Sequence, residues 1–132
     1  MNIKTSKELV DEANKSIKTM SASQVKDALD KKEVTLIDVR DIRELWKEGT
    51  IKDAIHIPRG MLEFWLDPSS AYFKEKKIGQ IKNVVLFCAL GFRSALATKS
   101  LNDMGFQNVS NASGGFDALK EAGLEVVSKE KK

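Results

Sequence analysis

Short, nearly continuous apolar runs alternate along the chain with stretches in which apolar residues recur every three or four positions. Val34-Thr35-Leu36-Ile37, ending at Asp38, has the pattern of a strand buried on both faces. Ala54-Ile55-His56-Ile57 is a second strand, stopped by Pro58, and Asn83-Val84-Val85-Leu86-Phe87 is the clearest of all. Weaker strands are predicted over residues 108–111 and 124–127. Leu9, Ala13, Ile17 and Met20 share helical spacing and predict a short amphipathic helix over 8–16. Ser21 with Gln24 three residues later reads as a capping box opening a helix through Val25, Ala28 and Leu29. Further helices are predicted over 41–48, stopped by Gly49, over the apolar 61–66, and over 94–104, closed by Gly105. Asp67-Pro68-Ser69-Ser70 is a turn and helix-start signal, and Gly114-Gly115 introduces a last helix over 116–121.

Short buried strands alternating with helices predict an α/β fold, an open and mostly parallel five-stranded sheet with helices on both faces. The 132 residues fit one such domain. It is expected over 21–128, with a helical extension over 1–20 and a charged tail over 129–132. In sheets of this kind ligands sit beyond the C-terminal ends of the strands, which directs attention to Asp38, to the stretch after Ile57, and above all to Cys88.

Composition narrows the chemistry. The chain holds one cysteine and one histidine, which excludes an intrachain disulfide, a zinc site built from those two residue types alone, and a dithiol redox pair. A formal net charge of +3, from 22 basic and 19 acidic residues, gives no reason to expect nucleic acid as a partner. Residues 1–20 lack the apolar core of a signal peptide, and the longest apolar stretch, 84–90, is too short to span a bilayer. A cytoplasmic protein with a reduced thiol and no membrane partner is the expectation.

Cys88 ends the best strand, and Ala89-Leu90-Gly91-Phe92-Arg93-Ser94 forms a tight loop entering a helix. Such a loop turns backbone N–H groups toward one point, the helix N-terminus adds its positive end, and Arg93 supplies a cation. Together these lower a thiol pKa and make a nucleophile. A lone cysteine by itself is more simply a core residue, but Gly91 and Arg93 in a strand-loop-helix setting have no packing purpose.

With these residues in view, the sequence resembles the rhodanese family. The resemblance rests on Asp38-Val39-Arg40 after a strand, Glu44 to Gly49 and Ile51, Ala54 with Ile57-Pro58, the loop from Cys88 to Ser94, Gly105-Phe106 and Gly114-Gly115-Phe116. It implies a sulfurtransferase in which Cys88 takes a sulfane sulfur from thiosulfate or a similar donor, holds it as a persulfide, and passes it to cyanide or a thiol. No metal or organic cofactor is implied. Cysteine phosphatases place five residues between cysteine and arginine, whereas four separate Cys88 from Arg93, which argues against phosphate as substrate. Where the family often reads Gly-His-Ile-Pro-Gly-Ala, this chain has Gly49-Thr50-Ile51-Lys52-Asp53-Ala54, and Phe116 stands where tryptophan is common.

By the same resemblance, Asp38 and Arg40 are structural supports for the loops around Cys88. Arg59, after Pro58, is a second anion contact or an exposed arginine on a turn. Lys52 draws an anion or is simply solvated, and His56 reads as a hydrogen-bonded structural residue. The Met61, Leu62, Phe64, Trp65, Leu66 cluster is core with an aromatic left for the pocket or a docking surface. That cluster motivates an alternative, a persulfide relay or redox-responsive binding module acting on a protein partner. Lys74-Glu75-Lys76-Lys77 reads as a solvated helix end.

Overall fold

The computed structural model describes residues 2–74 and 83–131. Six helices and seven strands are seen among them. In chain order these are α1 Ser6–Ser16, β1 Lys18–Met20, α2 Ala22–Asp30, β2 Thr35–Asp38, α3 Ile42–Glu48, β3 Thr50–Ile51 and β4 Ile55–His56. A single 3-10 turn over Arg59–Met61 follows, then α4 Leu62–Leu66, β5 Val84–Phe87, α5 Phe92–Met104, β6 Val109–Ala112, α6 Gly115–Glu121 and β7 Val126–Val127. The main sheet has the order β1-β6-β5-β2-β4, and every pairing within it is parallel. The expected five-stranded α/β sheet is present, with a different fifth strand.

That fifth strand is β1, where Lys18, Thr19 and Met20 pair with Ser110, Asn111 and Ala112. Met20 therefore belongs to an edge strand and not to the stripe of α1. The residues read as a final sheet strand instead form β7, which pairs antiparallel with β3 as a separate ribbon. Gly49 permits that ribbon: a Cβ on it would lie 2.6 Å from the Val127 carbonyl oxygen.

Period two along β5 divides the core. Val84 and Leu86 pack with Ile37, Val39, Ile57, Leu62, Ala97 and Leu101 under α4 and α5. Val85 and Phe87 pack with Val25, Leu36, Phe116 and Leu119 under α2 and α6. Both faces are covered, as a parallel sheet requires. Helix α1 lies against α5 and buries Val10 and Ala13, leaving Leu9 exposed, so its inward stripe keeps the predicted Ala13 but takes Val10 in place of Leu9.

The caps follow the sequence closely. Ser21 and Gln24 complete a reciprocal capping box on α2, and Asp41 with Glu44 does the same on α3. Asp67 Oδ1 accepts from the Ser69 amide and hydroxyl, which closes a turn; no helix starts there among the described residues. Lys74 donates its backbone N–H to the Trp65 carbonyl and is not helical, while Glu75, Lys76 and Lys77 lie outside the described residues.

Candidate active site

The alternation that places Leu86 under α5 also places Cys88 there, 1% exposed at the C-terminal end of β5. Gly91, in a left-handed conformation with φ +103°, then turns the chain into α5. The turn wraps the backbone around the sulfur. The Gly91 and Ser94 amides donate to Cys88 Sγ at 3.2 and 3.4 Å, and Ser94 Oγ lies 3.3 Å from it. Burial pushes the Cys88 thiol up, but the Ser94 hydroxyl and the amides of Ser94, Gly91 and Leu90 together bring it below its ordinary value.

The loop is braced from two sides. Asn111 Nδ2 donates to the Gly91 carbonyl at 3.1 Å, and its Oδ1 lies 2.6 Å from Ser94 Oγ. Phe116 donates its backbone N–H to the Cys88 carbonyl at 2.8 Å. This last contact needs Gly115, whose φ is +61° and on which a Cβ would stand 2.5 Å from both the Cys88 and the Ala89 carbonyl oxygens. Glycine lets α6 approach the loop more closely than any other residue allows.

Arg93 sits at the edge of the loop and is held by a carboxylate. Its guanidinium makes two bonds to Glu44, at 2.8 and 3.0 Å, a bidentate pairing. Glu44 also accepts from the Asp41 amide at the start of α3. Arg93 holds Glu44 below the usual carboxylate range, and Glu44 in turn raises Arg93, with smaller contributions from the charges of Cys88 and Asp38.

Beneath the loop, Arg40 and Asp38 form a fully buried pair at 2.8 Å. Arg40 also donates to the Gly49 carbonyl, Thr50 Oγ1 donates to Asp38, and the guanidinium lies 4.1 Å from the Phe116 ring centroid. Each polar group of the pair thus has partners, without which such burial is strongly unfavourable. His56 Nε2 is 2.7 Å from the Arg40 carbonyl oxygen, a structural hydrogen bond as the sequence suggested.

The structure thus brings Cys88, the Leu90, Gly91 and Ser94 amides and Arg93 together, with Asp38 and Arg40 below. Ala89 presents its carbonyl to Gly115, while Phe92 is exposed. Arg59 is not brought to the loop. Its guanidinium pairs with Glu63 and donates to Ser100 Oγ, and Ser100 lies about 9 Å beyond Ser94 along α5. The i,i+4 spacing of Arg59 and Glu63 was the available signal. Lys52 pairs with Glu125 at 3.8 Å on the surface. Trp65 packs against the core, whereas Phe64 meets Tyr72 edge-on and both are exposed. Sequence reasoning missed the roles of Glu44, Asn111 and the Ser94 hydroxyl. An asparagine at the end of a predicted strand was the one visible cue. Among the described residues, no group of His, Cys, Asp or Glu is placed to hold a metal ion, and no helix is long and apolar enough to cross a membrane.

Comparison with known proteins fits this geometry. The chain is 30% identical over 103 residues to thiosulfate sulfurtransferase/rhodanese-like domain-containing protein 3 of Mus musculus, covering 75% of this chain. It is 34% identical over 90 residues to a putative mitochondrial thiosulfate sulfurtransferase of Schizosaccharomyces pombe, covering 64%. The matches span 66% and 62% of those relatives' lengths. Among solved structures, a Rhodopseudomonas palustris protein of unknown function, described as a possible tyrosine phosphatase, superposes with a TM-score of 0.88. It shares 38% identity, over 96% of this chain and 97% of that one. The polysulfide-sulfur transferase homodimer of Wolinella succinogenes gives a TM-score of 0.72 and 34% identity, over 93% and 87%. The rhodanese-like domain model matches residues 21–122, from the cap of α2 to the end of α6, and with most of its length inside that match the chain belongs to the rhodanese-like family.

Proposed function

We propose that the protein is a sulfurtransferase that moves a sulfane sulfur from thiosulfate or a similar donor, through a persulfide on Cys88, to cyanide or a thiol acceptor. The observation that carries this reading is the convergence of the Gly91 and Ser94 amides on Cys88 Sγ at 3.2 and 3.4 Å. In the first half-reaction the Cys88 thiolate attacks the outer sulfur of thiosulfate, the donor's S–S bond breaks, and sulfite leaves with its electron pair. In the second, the acceptor's lone pair attacks the outer persulfide sulfur and the Cys88 thiolate leaves. Thiolate, persulfide and departing sulfite are all anionic, so N–H donors aimed at this point and the Arg93 cation assist both steps. The residues assigned are Cys88 as nucleophile, the loop from Ala89 to Ser94 as anion cradle, and Asp38 with Arg40 as supports. Arg59 is left out of the cradle because Glu63 and Ser100 hold its guanidinium well along α5 from the loop.

A thiol 1% exposed favours a slender donor, and the polysulfide named for the Wolinella relative is, like thiosulfate, of that shape. A reducing, cytoplasmic setting belongs to the same reading, because a lone thiol must stay reduced to act. Incubation with thiosulfate or polysulfide should add the mass of one sulfur atom to Cys88, and cyanide should remove it as thiocyanate. No adduct from any sulfane donor, or full cyanide-dependent turnover in Cys88→Ser, overturns the proposal. The exposed Phe64 and Tyr72 pair favours a second reading, in which the acceptor is a protein docking beside α4. Transfer to a protein acceptor with poor turnover on small thiols would select it. Cys88-dependent hydrolysis of an aryl phosphate would instead point to phosphoryl chemistry.

A further inference from the structure

Ser94 Oγ carries one proton and stands between two acceptors. It lies 2.6 Å from Asn111 Oδ1 and 3.3 Å from Cys88 Sγ, and a hydroxyl donates only one bond. The orientation of Asn111 is settled at its other end. Nδ2 donates to the Gly91 carbonyl at 3.1 Å, and reversing the amide would set its oxygen against that carbonyl. Oδ1 therefore faces Ser94, and a separation at the short end of the O–H···O range draws the proton toward Asn111 and weakens the hydroxyl's donation to the sulfur. A neutral Cys88 completes the chain by donating S–H to Ser94 Oγ, which donates to Asn111. Loss of the thiol proton reverses the demand on Ser94. The thiolate needs a donor, and the hydroxyl reaches it only by leaving Oδ1 unpartnered in a residue 4% exposed.

We propose that Asn111 is a positioning residue that sets the reactivity of Cys88 by competing with its sulfur for the single proton of the Ser94 hydroxyl. The inference rests on Cys88 being the nucleophile of the function proposed above, but it concerns thiolate formation and is read without any sulfur donor. The charged groups around the loop, Arg93 with Glu44 and Asp38 with Arg40, are untouched by the variants used to test it.

The test is titration of the lone Cys88 by thiolate absorbance, or by iodoacetamide alkylation rate against pH, in Asn111→Ala, Ser94→Ala and the double variant. Removing Asn111 frees the hydroxyl for the sulfur, so the titration of Asn111→Ala moves down by about half a unit to one unit. Below the midpoint this is roughly a three- to tenfold gain in thiolate. In the Ser94→Ala background the same substitution gives no downward shift. A purely bracing role predicts the opposite sign, because a loosened Gly91 withdraws its amide from the sulfur. A rise in Asn111→Ala, or an equal fall in both backgrounds, overturns the inference. Should Asn111→Ala not fold, Ser94→Ala alone decides: a hydroxyl shared with Asn111 predicts an upward shift of less than about one unit, and a larger rise shows that the hydroxyl serves the sulfur undivided. The predicted titrations without persulfide from any donor would remove the sulfur-transfer reading and leave this one standing.

Discussion

Gly115→Ala tests how closely the cysteine loop is held. At φ +61° an alanine carries a conformational penalty of about 1–2 kcal/mol. The steric part is larger, because the new Cβ would stand 2.5 Å from the carbonyl oxygens of both Cys88 and Ala89. Carbon–oxygen contacts ordinarily begin near about 3.3 Å, so α6 and the loop must part by roughly 0.8 Å. Two backbone segments yield less easily than a side chain, and overpacking of this kind costs about 1–3 kcal/mol. The total expected loss is about 2–5 kcal/mol. Gly91→Ala is the control: its φ is +103°, but its nearest neighbour would be 3.5 Å away, so only a conformational penalty of about 1–2 kcal/mol applies. Urea denaturation gives both values. Parting the segments also stretches the 2.8 Å bond from Phe116 to the Cys88 carbonyl and draws the cysteine from its amide donors, so alkylation of Cys88 at fixed pH should slow in folded Gly115→Ala. A loss no greater than that of Gly91→Ala would refute the reasoning.

Three further perturbations probe the site's charges. Arg93→Ala should raise KM for a dianionic donor, with a loss of about tenfold in kcat/KM, while alkylation by neutral iodoacetamide changes less than about threefold; equal losses in both assays would contradict a role in anion attraction. Asp38→Asn leaves Arg40 buried without its counter-charge and should cost about 3–5 kcal/mol by urea denaturation, and a loss under about 1 kcal/mol would contradict the pairing. The lowered Cys88 thiol makes stability pH-dependent. The folded protein releases the thiol proton at lower pH than the unfolded chain, so this contribution is present above the ordinary thiol pKa and disappears as pH falls through the lowered folded value. The unfolding free energy of the wild type, relative to Cys88→Ala, should therefore rise with pH across that window, and a flat difference would count against the amide cradle.

Where local sequence carried the physics, it was readable. The run 84–87 has no polar residue to place on a solvent face, and Ser21 with Gln24 satisfies helix amides within four residues. The cysteine loop was legible for the same reason, since strand, glycine turn and helix start are contiguous. Three features were not. Strand β1 is a three-residue edge with two exposed positions, too short to display a period. Glu44 and Arg93 meet only because α3 and α5 both begin beside the ends of β2 and β5. Asn111 carries an ordinary strand-end polarity until the fold sets it between Gly91 and Ser94. Arg59 misled for the converse reason: its position after Pro58 suggested the site, but a partner one helical turn away claimed its charge.

The strand order has a consequence for how the chain assembles as it is made. Lys18 to Met20 pair only with residues 110–112, a separation of about ninety residues, and β5 pairs on one side with β2 and on the other with β6. A growing chain therefore carries β1 without its sheet partner until residues 110–112 have been synthesised. Gly115 and Phe116, which close over the Cys88 and Ala89 carbonyls, emerge later still. The backbone brace over the Cys88 loop is thus available only after the strand that carries the cysteine has been made.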